Sequence, residues 1–243
     1  MRTIRGFFAD INIHTERCCI TGEYYNYFKN VLRLKNNDFI ELFNNKDGLE
    51  YKTKIISIDN KTITLEVIET QEVNNENNYV TNLYQALIKN DNFEFVIQKA
   101  TELGVNNIYP IITDFTNYKF NKNDFDKKIK RWIKIAISAS EQCGRVFIPK
   151  IHTPINLNNI KVSSNDFNLV LCPYSNLNNN VMQKIRSHTN FNIFIGPEGG
   201  FSNNEMNSFY NNNFYPINLG KRILRAETAP INILSIINFI KML

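Results

Sequence analysis

Three short stretches of the chain combine glycine, proline and charged residues at points where apolar runs end. They are "LCPYSN" (171–176), "IGPEGGFS" (195–202) and "NLGKRILRAETAP" (218–230). Glycine admits positive φ and lets a ligand approach the backbone closely, so the second stretch is typical of a binding loop. A P-loop would need Gly-Lys-Ser/Thr, and a dinucleotide fold would need GxGxxG after its first strand; the sequence contains neither pattern.

Glu198, at the centre of the second stretch, narrows the choice of ligand. A carboxylate opposes a triphosphate but tolerates a zwitterionic or cationic molecule. Ser202 and Glu205 fit a capping box, which predicts that a helix starts directly after the loop. From composition alone, a structural turn with two helpful glycines is an equally good interpretation.

The third stretch is dense in charge. It places three cations within five residues, followed by an acid: Lys221, Arg222, Arg225 and Glu227. A solvated basic turn with a local ion pair between Arg225 and Glu227 is one interpretation. The apolar Ile223 and Leu224 among these charges favour the other, a segment partly buried near a ligand.

The elements that must position these stretches alternate between strand and helix from about residue 80. The predicted strands are "TNLYQALI", "VNNIYPIIT", "FNLVLCPY", "NFNIFIG" and "FYPINLG". Between and after them lie predicted helices, one closed by Gly104 and one over 124–142 with a single apolar face comprising Ile129, Trp132, Ile133, Ala136 and Ile137. Strands with few polar residues that alternate with helices predict an α/β fold with a parallel sheet. In such sheets the ligand lies beyond the carboxyl ends of the strands, where the three stretches are.

The first seventy residues are β-rich instead. "DFIELF" (38–43), "YKTKIISI" (51–58) and "TITLEVIE" (62–69) alternate apolar and polar residues, as half-buried strands do. A helical stretch over 23–34 interrupts this pattern. We therefore expect a small barrel-like β domain, joined to the second domain by the polar segment 70–79.

Composition limits the function only loosely. A chain of 243 residues with a net charge of +5 suits a polyanionic partner, as it suits many unrelated proteins. No apolar run approaches the roughly 20 residues of a membrane span, and no signal peptide is visible. Four unpatterned cysteines and three scattered histidines argue against a metal site and for a reduced, cytoplasmic protein. Asparagine occupies about 40 positions, which we interpret as compositional drift in surface loops.

Taken together, the motifs resemble a known family. "IGPEGGFSNNE" with "LGKRILRAETA" is similar to the C-terminal signature of bacterial small-subunit ribosomal RNA uridine-N3 methyltransferases, the RsmE-type family of the SPOUT superfamily. Three further blocks resemble the family in the same order: "NVLRLKNNDFIELF" (30–43), "IQKATELGVNNIYPI" (97–111) and "RWIKIAISASEQCGRVFIPKI" (131–151). The resemblance thus covers nearly the whole chain.

The resemblance implies a fold and an activity. It implies an N-terminal PUA-like β-barrel domain (1–72) that binds RNA and a C-terminal SPOUT α/β domain (79–243) tied in a deep trefoil knot. Family members are homodimers that bind S-adenosylmethionine in the knot and methylate N3 of one uridine of 16S rRNA in the small ribosomal subunit. We therefore expect this cofactor, this RNA partner and a homodimer, without metal or membrane.

Site residues are carried over from the matching motifs. The residues implied to line the cofactor pocket are Cys172, Pro173, Gly196, Glu198, Gly199, Gly200, Leu219, Gly220, Ile223 and Leu224. The uracil N3 proton must leave before N3 attacks, so a catalyst has to stabilise the developing anion. We expect Arg225 to do so, Glu227 to orient that arginine or take the proton, and Glu198 to be a second possible base.

RNA contacts are expected from the first domain and from the end of the helix over 124–142. The basic and polar residues concerned are Arg2, Arg5, Arg33, Lys35, Gln142 and Arg145. For Gln142 and Arg145, a position facing the active site is the alternative. Phe7, Phe8 and Tyr27 are interleaved with some of them and fit base stacking and a protein core equally well. Cys143 is predicted to be a packing residue.

The chain departs from the family pattern at three places. Tyr27 stands where a histidine is usual, and Thr113-Asp114-Phe115 stands where Ser-Glu-Arg is usual. "NDNFE" (90–94) replaces a basic, glycine-bearing stretch. None of these lies in the cofactor loops, so we expect activity with weaker RNA affinity.

Three alternative functions would each require other features in the sequence. A ribosome-assembly protein with a decayed methyltransferase fold would have damaged cofactor loops. A SPOUT enzyme with another RNA target would carry the motifs of that branch. A nucleotide hydrolase would need the P-loop lysine and metal-binding carboxylates, which the sequence lacks.

Overall fold

The computed structural model describes residues 4–117, 122–175 and 180–243. The chain divides into two compact units. The first consists of Met1–Glu76 and Ser140–Ile148, and the second of Asn77–Ala139 and Pro149–Leu243. No helix in the described ranges has both the length and the apolar character needed to cross a bilayer.

The first unit contains a five-stranded sheet in the order β1-β3-β4-β5-β2, with β1 and β3 parallel and the other neighbours antiparallel. Its strands are β1 (Arg5–Phe7), β2 (Arg17–Ile20), β3 (Phe39–Phe43), β4 (Leu49–Ile58) and β5 (Ile63–Glu72). The predicted helix is α1 (Gly22–Asn26), which continues as a π-helical turn over Tyr27–Val31. Within the described ranges, β1 and β2 form the edges of this sheet and do not pair with each other.

Alternation along the two long strands builds the core of this unit. Tyr51, Thr53 and Ile55 of β4 and Ile63 and Leu65 of β5 are fully buried, as the period-2 pattern predicts. The segment proposed as a linker is shorter than expected. Strand β5 runs to Glu72, which pairs with Leu49, so residues 70–72 belong to the sheet.

The second unit is built on a parallel sheet, in which the described residues form seven strands. The order is β12-β10-β11-β6-β7-β8, with β9 pairing to β7. These strands are β6 (Val80–Ala86), β7 (Asn107–Ile112), β8 (Lys150–Ile151), β9 (Ile155–Asn156), β10 (Phe167–Leu171), β11 (Asn190–Ile195) and β12 (Tyr215–Ile217). The α/β class and the parallel arrangement predicted from the sequence are confirmed.

Helices and a short 3₁₀ turn (Leu157–Asn159) connect the strands. They are α2 (Asn90–Glu102), α3 (Lys122–Cys143), α4 (Val181–Ser187), α5 (Asn203–Asn211) and α6 (Thr228–Met242). Gly104 follows α2 with φ +82°, and its N–H bonds to the Thr101 carbonyl, as predicted for a C-terminal cap. The predicted apolar face of α3 is wrong in one respect, because Ile133 is exposed. The buried side runs through Trp132, Ala136 and Ala139, since the indole packs on Phe93 at 4.6 Å between ring centroids.

A ladder of side-chain amides crosses the second sheet. Asn192 donates to Asn168 at 2.8 Å, Asn82 to Asn192 at 2.9 Å, and Asn107 to Asn82 at 2.8 Å. The Nε2 atom of His152 lies 3.0 Å from the Asn107 Oδ1 atom and ends the ladder. These asparagines occupy matched register positions on four adjacent strands. Interpreting the asparagine content as drift in surface loops is therefore wrong for these four.

Candidate active site

The three motif stretches lie around one cavity at the carboxyl ends of β10, β11 and β12. Because β10 lies between β12 and β11 in the sheet, the loops that follow these three strands are spatial neighbours. We call them the cysteine loop (172–175), the glycine loop (196–202) and the basic loop (218–227). They enclose a volume of about 500 Å³. A cavity of this size lies in the range of small-molecule sites.

Most of the residues implied for the cofactor pocket line this cavity. They are Cys172, Pro173, Gly196, Glu198, Gly199, Gly200, Leu219, Ile223 and Leu224, and the implied catalytic residues Arg225 and Glu227 line it as well. Gly220 is not among the described lining residues. Its φ is +121°, and its N–H donates to the Asn218 side chain at 2.9 Å, so it shapes the basic loop from outside the cavity.

The glycine loop is tightly folded. The Gly200 N–H bonds to the Pro197 carbonyl at 2.9 Å, and Gly200 adopts φ +74°, a conformation that favours glycine. A Cβ built on Gly196 would lie 3.0 Å from the Gly200 carbonyl carbon, so the backbone would have to shift by a few tenths of an ångström to accept it. The turn therefore favours glycine at both positions.

The predicted capping box fixes the far end of the glycine loop. The Glu205 N–H donates to the Ser202 hydroxyl at 3.2 Å, and the Ser202 N–H donates to the Glu205 carboxylate at 2.8 Å. The same carboxylate accepts from the Asp114 N–H at 2.9 Å, and the Ser202 hydroxyl donates to the Asp114 side chain at 2.5 Å. The glycine loop is thus bonded at its end to the turn that follows β7.

The cysteine and basic loops are bonded to each other. The Cys172 N–H donates to the Ile217 carbonyl at 2.9 Å, which continues the pairing of β10 with β12. The Asn218 side-chain amide donates to the carbonyls of Pro173 and Ser175 at 2.8 and 3.0 Å. One asparagine therefore sets the separation of two walls of the cavity.

The charged part of the basic loop is open. The side chain of Arg225 is 85% exposed, and its Nη1 atom lies 3.8 Å from Glu227 Oε1, whose side chain is only 13% exposed. Ile223 is 70% exposed, so the expectation that it is partly buried is wrong. Leu224 is half-buried. This loop therefore combines features of the solvated basic turn and of a ligand-lining segment.

Charge around the cavity is mixed. Glu198 is exposed on the glycine loop, whereas Lys221, Arg222 and Arg225 are exposed on the basic loop. No group of three or more His, Cys, Asp or Glu side chains that could hold a metal ion occurs in the described residues. The cavity wall offers backbone N–H groups, the two carboxylates of Glu198 and Glu227 and several cations, a set of groups that suits a zwitterion and a polyanion.

Sequence reasoning missed other residues of the cavity wall. The described residues that also line it include Asn92, Tyr174, Pro197, Asn218 and Arg222. All but Asn92 lie within or beside the quoted motifs and could have been found by including whole loops. Asn92 is in the first turn of α2, in the stretch identified above as a departure from the family pattern.

The residues predicted to contact RNA divide into two groups. Arg33, in the left-handed conformation with φ +56°, is exposed, as are Lys35 and Gln142. Arg145 is buried, and the side chain of Arg5 is only 10% exposed. Arg5 forms an ion pair with Glu50 at 2.5 Å, and Arg145 forms one with Glu76 at 2.7 Å. We withdraw these two arginines as RNA contacts, because their charge is already compensated inside the first unit; Arg2 lies outside the described residues.

The interleaved aromatic residues serve the core. Phe8 is buried, and the rings of Phe7 and Phe8 pack on Tyr24 with centroids 6.2 and 5.4 Å apart. The Tyr27 hydroxyl donates to Glu141 at 2.6 Å, and burial together with this bond raises the pKa of Tyr27. Burial also raises the pKa of Glu141. Tyr27 is therefore a fixed structural donor, and the core interpretation applies to these rings.

Comparison with known proteins identifies the family. A model of the RNA methyltransferase domain matches residues 75–238, and a model of the RNA methyltransferase PUA domain matches residues 20–68. A ribosomal RNA small subunit methyltransferase E of Buchnera aphidicola is 37% identical over 221 residues, which cover 87% of this chain and 83% of that protein. The Mesomycoplasma hyopneumoniae protein of the same name is 37% identical over 216 residues, which cover 89% of this chain and 91% of that protein.

Solved structures agree with these relatives. A methyltransferase of Legionella pneumophila in complex with the bound cofactor SAM superposes with a TM-score of 0.91 at 32% identity, covering 98% of both chains. The ribosomal RNA small subunit methyltransferase E of Neisseria gonorrhoeae bound to S-adenosyl methionine superposes with a TM-score of 0.89 at 25% identity, covering 98% of each chain. The resemblance found in the sequence is confirmed. The chain belongs to the ribosomal RNA small subunit methyltransferase E family.

Proposed function

We propose that this protein transfers the methyl group of S-adenosylmethionine to N3 of one uridine in the 16S rRNA of the small ribosomal subunit. The observation that carries the proposal is the cavity of about 500 Å³ in which the glycine loop meets the basic loop. Family membership supports the reaction class, and two structural neighbours contain this cofactor. The position on the base and the residue roles are our own assignment.

The cavity wall fits the cofactor chemically. S-adenosylmethionine supplies an electrophilic methyl group on a sulfonium centre and has an amino-acid end but no phosphate. Backbone groups at Gly196, Gly199 and Gly200 are available to hold it, because glycine leaves them uncovered. Glu198 suits a cationic ligand, and Cys172 and Leu224 supply less polar wall. The same carboxylate would oppose the phosphates of ATP.

Arg225 is proposed as the group that stabilises the uracil anion. Uracil N3 carries a proton at neutral pH and becomes a good nucleophile once that proton leaves. A guanidinium that reaches the uracil oxygens favours the anion, and such preorganised charge is commonly the largest catalytic contribution. Glu227, 3.8 Å from Arg225 and mostly buried, is placed to orient it. Glu227 and Glu198 are the two proposed acceptors of the N3 proton.

RNA binding is assigned to the N-terminal domain, which we place at residues 1–72, with the methyltransferase domain at 79–243. Arg33 and Lys35 are exposed cations there, and Gln142 is exposed at the end of α3. Phosphate contacts by such cations are sequence-independent and salt-sensitive. The target base must be unstacked before it can enter the cavity.

A homodimer and a trefoil knot complete the proposal. An apolar groove between α4 and α6 carries Met182 and Phe239, both exposed in the single chain, and such a patch is typical of an interface. For a homodimer, we expect light scattering to give twice the chain mass of 28.4 kDa.

The trefoil knot is supported by the sheet order β12-β10-β11 and by helix α6, which packs against α2, α4 and β11. Both features are compatible with a C-terminal segment that passes through a loop of the chain. A crystal structure would test the knot. Since small subunits are its substrate, we place the enzyme in the bacterial cytoplasm.

The function is tested by identifying the product. The protein is incubated with labelled S-adenosylmethionine and small subunits that lack the modification, and the labelled nucleoside is then mapped. We expect label in 3-methyluridine at a single position of 16S rRNA. Label on any other nucleoside, or no label with subunits and with free rRNA, contradicts the proposal.

A further inference from the structure

An aromatic side chain stands exposed beside the cavity without serving the core. Phe115 follows β7 in the turn 113–116, and 47% of it is exposed. Its ring lies against the glycine loop: a Cβ built on Gly199 would be 3.5 Å from the Phe115 Cβ and 3.6 Å from its Cδ2. Gly199 lines the cavity, so Phe115 contacts the wall from outside.

The turn that carries this ring is held rigidly. The Thr113 N–H donates to the Thr116 hydroxyl at 2.9 Å, and the Thr116 N–H donates to the Thr113 carbonyl at 3.1 Å. Asp114 is bonded through its N–H to Glu205 and through its carboxylate to Ser202. Phe115 is thus displayed at a fixed position relative to the glycine loop. A preorganised apolar surface loses little entropy when a ligand covers it.

The surroundings indicate what covers the ring. The basic loop of the same cavity exposes Lys221, Arg222 and Arg225, a set of cations that suits a polyanion. Single-stranded nucleic acid is bound by cationic tracks combined with aromatic rings on which bases stack. A flat ring beside a cationic cavity therefore fits a nucleobase that has left its stack.

We infer that Phe115 is a stacking platform for an unstacked base of the RNA substrate. The inference rests on the proposed function and makes Phe115 a positioning residue, which acts by holding an RNA base outside the cavity while the methyl group is transferred inside it. An arginine is usual at this position in the family pattern, and its replacement by phenylalanine exchanges a cation for an aromatic surface.

Substitutions separate stacking from packing. Phe115→Ala removes the ring, Phe115→Leu keeps an apolar side chain on Gly199, and Phe115→Tyr keeps the π-face. We expect Ala and Leu to raise KM for unmodified small subunits about fivefold or more, because both variants lose the stacking of a base on the ring. The Tyr variant should stay near wild type, and affinity for S-adenosylmethionine should change in none of them. Phe95→Ala is the matched control, because Phe95 is 43% exposed in the same unit.

Fluorescence tests the contact directly. In Phe115→Trp, the introduced indole should be quenched when small subunits are added, whereas the native Trp132 is buried and should respond little. Phe95→Trp should not be quenched. Absence of quenching at position 115, an unchanged KM in Phe115→Ala, or a Leu variant as active as the Tyr variant would each overturn the inference. A smaller oligomer in Phe115→Ala would overturn it too, because the ring would then cover a partner chain.

The inference and the proposed function fail differently. If the wild-type protein does not methylate small subunits, the proposed function is wrong. If the wild type is active and all Phe115 variants match it, only the stacking role is wrong.

Discussion

The glycine loop and the basic loop lie on one cavity but are built in opposite ways. The glycine loop is closed by a turn at Gly200 and bonded through Ser202 and Glu205 to a neighbouring turn. The basic loop is bonded to the cysteine loop through Asn218, but the Arg225 side chain at its other end is 85% exposed and lies 3.8 Å from Glu227. Its helix α6 begins without the side-chain cap that α5 has.

This difference suggests a division of labour. A loop that is already folded can bind a small ligand without losing conformational entropy, which suits the cofactor. A charged and exposed loop keeps its cations hydrated until a polyanion arrives, which suits the RNA and the chemistry on its base. We therefore propose that the glycine loop contributes mainly to cofactor binding, with apolar residues of the basic loop completing the pocket, and that the charged end of the basic loop contributes mainly to catalysis.

The largest expected effect is that of Arg225→Ala. Removing a preorganised donor from a developing anion lowers kcat about 10²- to 10³-fold in comparable sites. Affinity for S-adenosylmethionine should stay within about twofold of wild type. Single-turnover methyl transfer and calorimetric titration measure the two quantities. Arg17→Ala, another exposed arginine, serves as control; a rate near wild type for Arg225→Ala would remove this residue from catalysis.

Gly196→Ala should weaken cofactor binding by the glycine loop. The new Cβ would lie 3.0 Å from the Gly200 carbonyl carbon, and overpacking of this kind costs about 1–3 kcal/mol. If half of that strain distorts the cofactor wall, affinity for the cofactor falls roughly two- to tenfold, because 1.4 kcal/mol corresponds to a factor of ten. Titration with S-adenosylmethionine measures it. Gly199→Ala is the matched variant, since its Cβ would meet Phe115 at an ordinary 3.5 Å and should be milder.

The free energy of unfolding should depend more on the first residues of α5 than on those of α6. Ser202→Ala removes the cap of α5 and the bond to Asp114, and we expect a loss of about 1–2 kcal/mol in the free energy of unfolding. Glu227→Ala removes no side-chain cap of α6 and loses only a 3.8 Å ion pair to the exposed Arg225, which should cost below about 1 kcal/mol. Urea unfolding of both variants gives the values. Equal losses would mean that the loops are equally ordered.

The smallest expected effect is a change in the salt dependence of RNA binding. Replacing both Lys221 and Arg222 by alanine should make RNA binding less sensitive to salt, lowering the slope of log K against log[salt] by about 1.4 for two phosphate contacts. Filter binding between low and moderate salt measures this slope. The same assay on Gly199→Ala should leave the slope unchanged, because no charge is lost there. An unchanged slope in the double variant would mean that the basic loop does not contact phosphate.

Local patterns made much of this fold predictable. The long strands β4 and β5, the helices α2 and α3 and the capping box of α5 each have a signal contained within a few residues. The three loops could be grouped into one site because parallel strands bring their carboxyl ends to one edge. The proximity of Cys172 to Asn218 could therefore be predicted by applying this topological rule to the local sequence motifs.

Features that depend on distant partners were not predictable. The amide ladder through Asn82 and Asn192 depends on the register of strands far apart in the chain. The burial of Arg145 depends on Glu76, which is equally remote in sequence. Strands β8 and β9, of two residues each, are too short to show a period. Of the residues predicted for the apolar face of α3, Trp132 and Ala136 are buried but Ile133 is exposed, because the contact of Trp132 with Phe93 determines which side faces the core.

One kinetic measurement tests the division of labour most directly. Single-turnover methyl transfer to unmodified small subunits is followed for Gly196→Ala and Arg225→Ala while the concentration of S-adenosylmethionine is raised to saturation. We predict that Gly196→Ala regains the wild-type rate at high cofactor concentration and that Arg225→Ala remains slow at every concentration. Recovery of Arg225→Ala, or a Gly196→Ala rate that stays low at saturation, would contradict the assignment of binding and catalysis to separate loops.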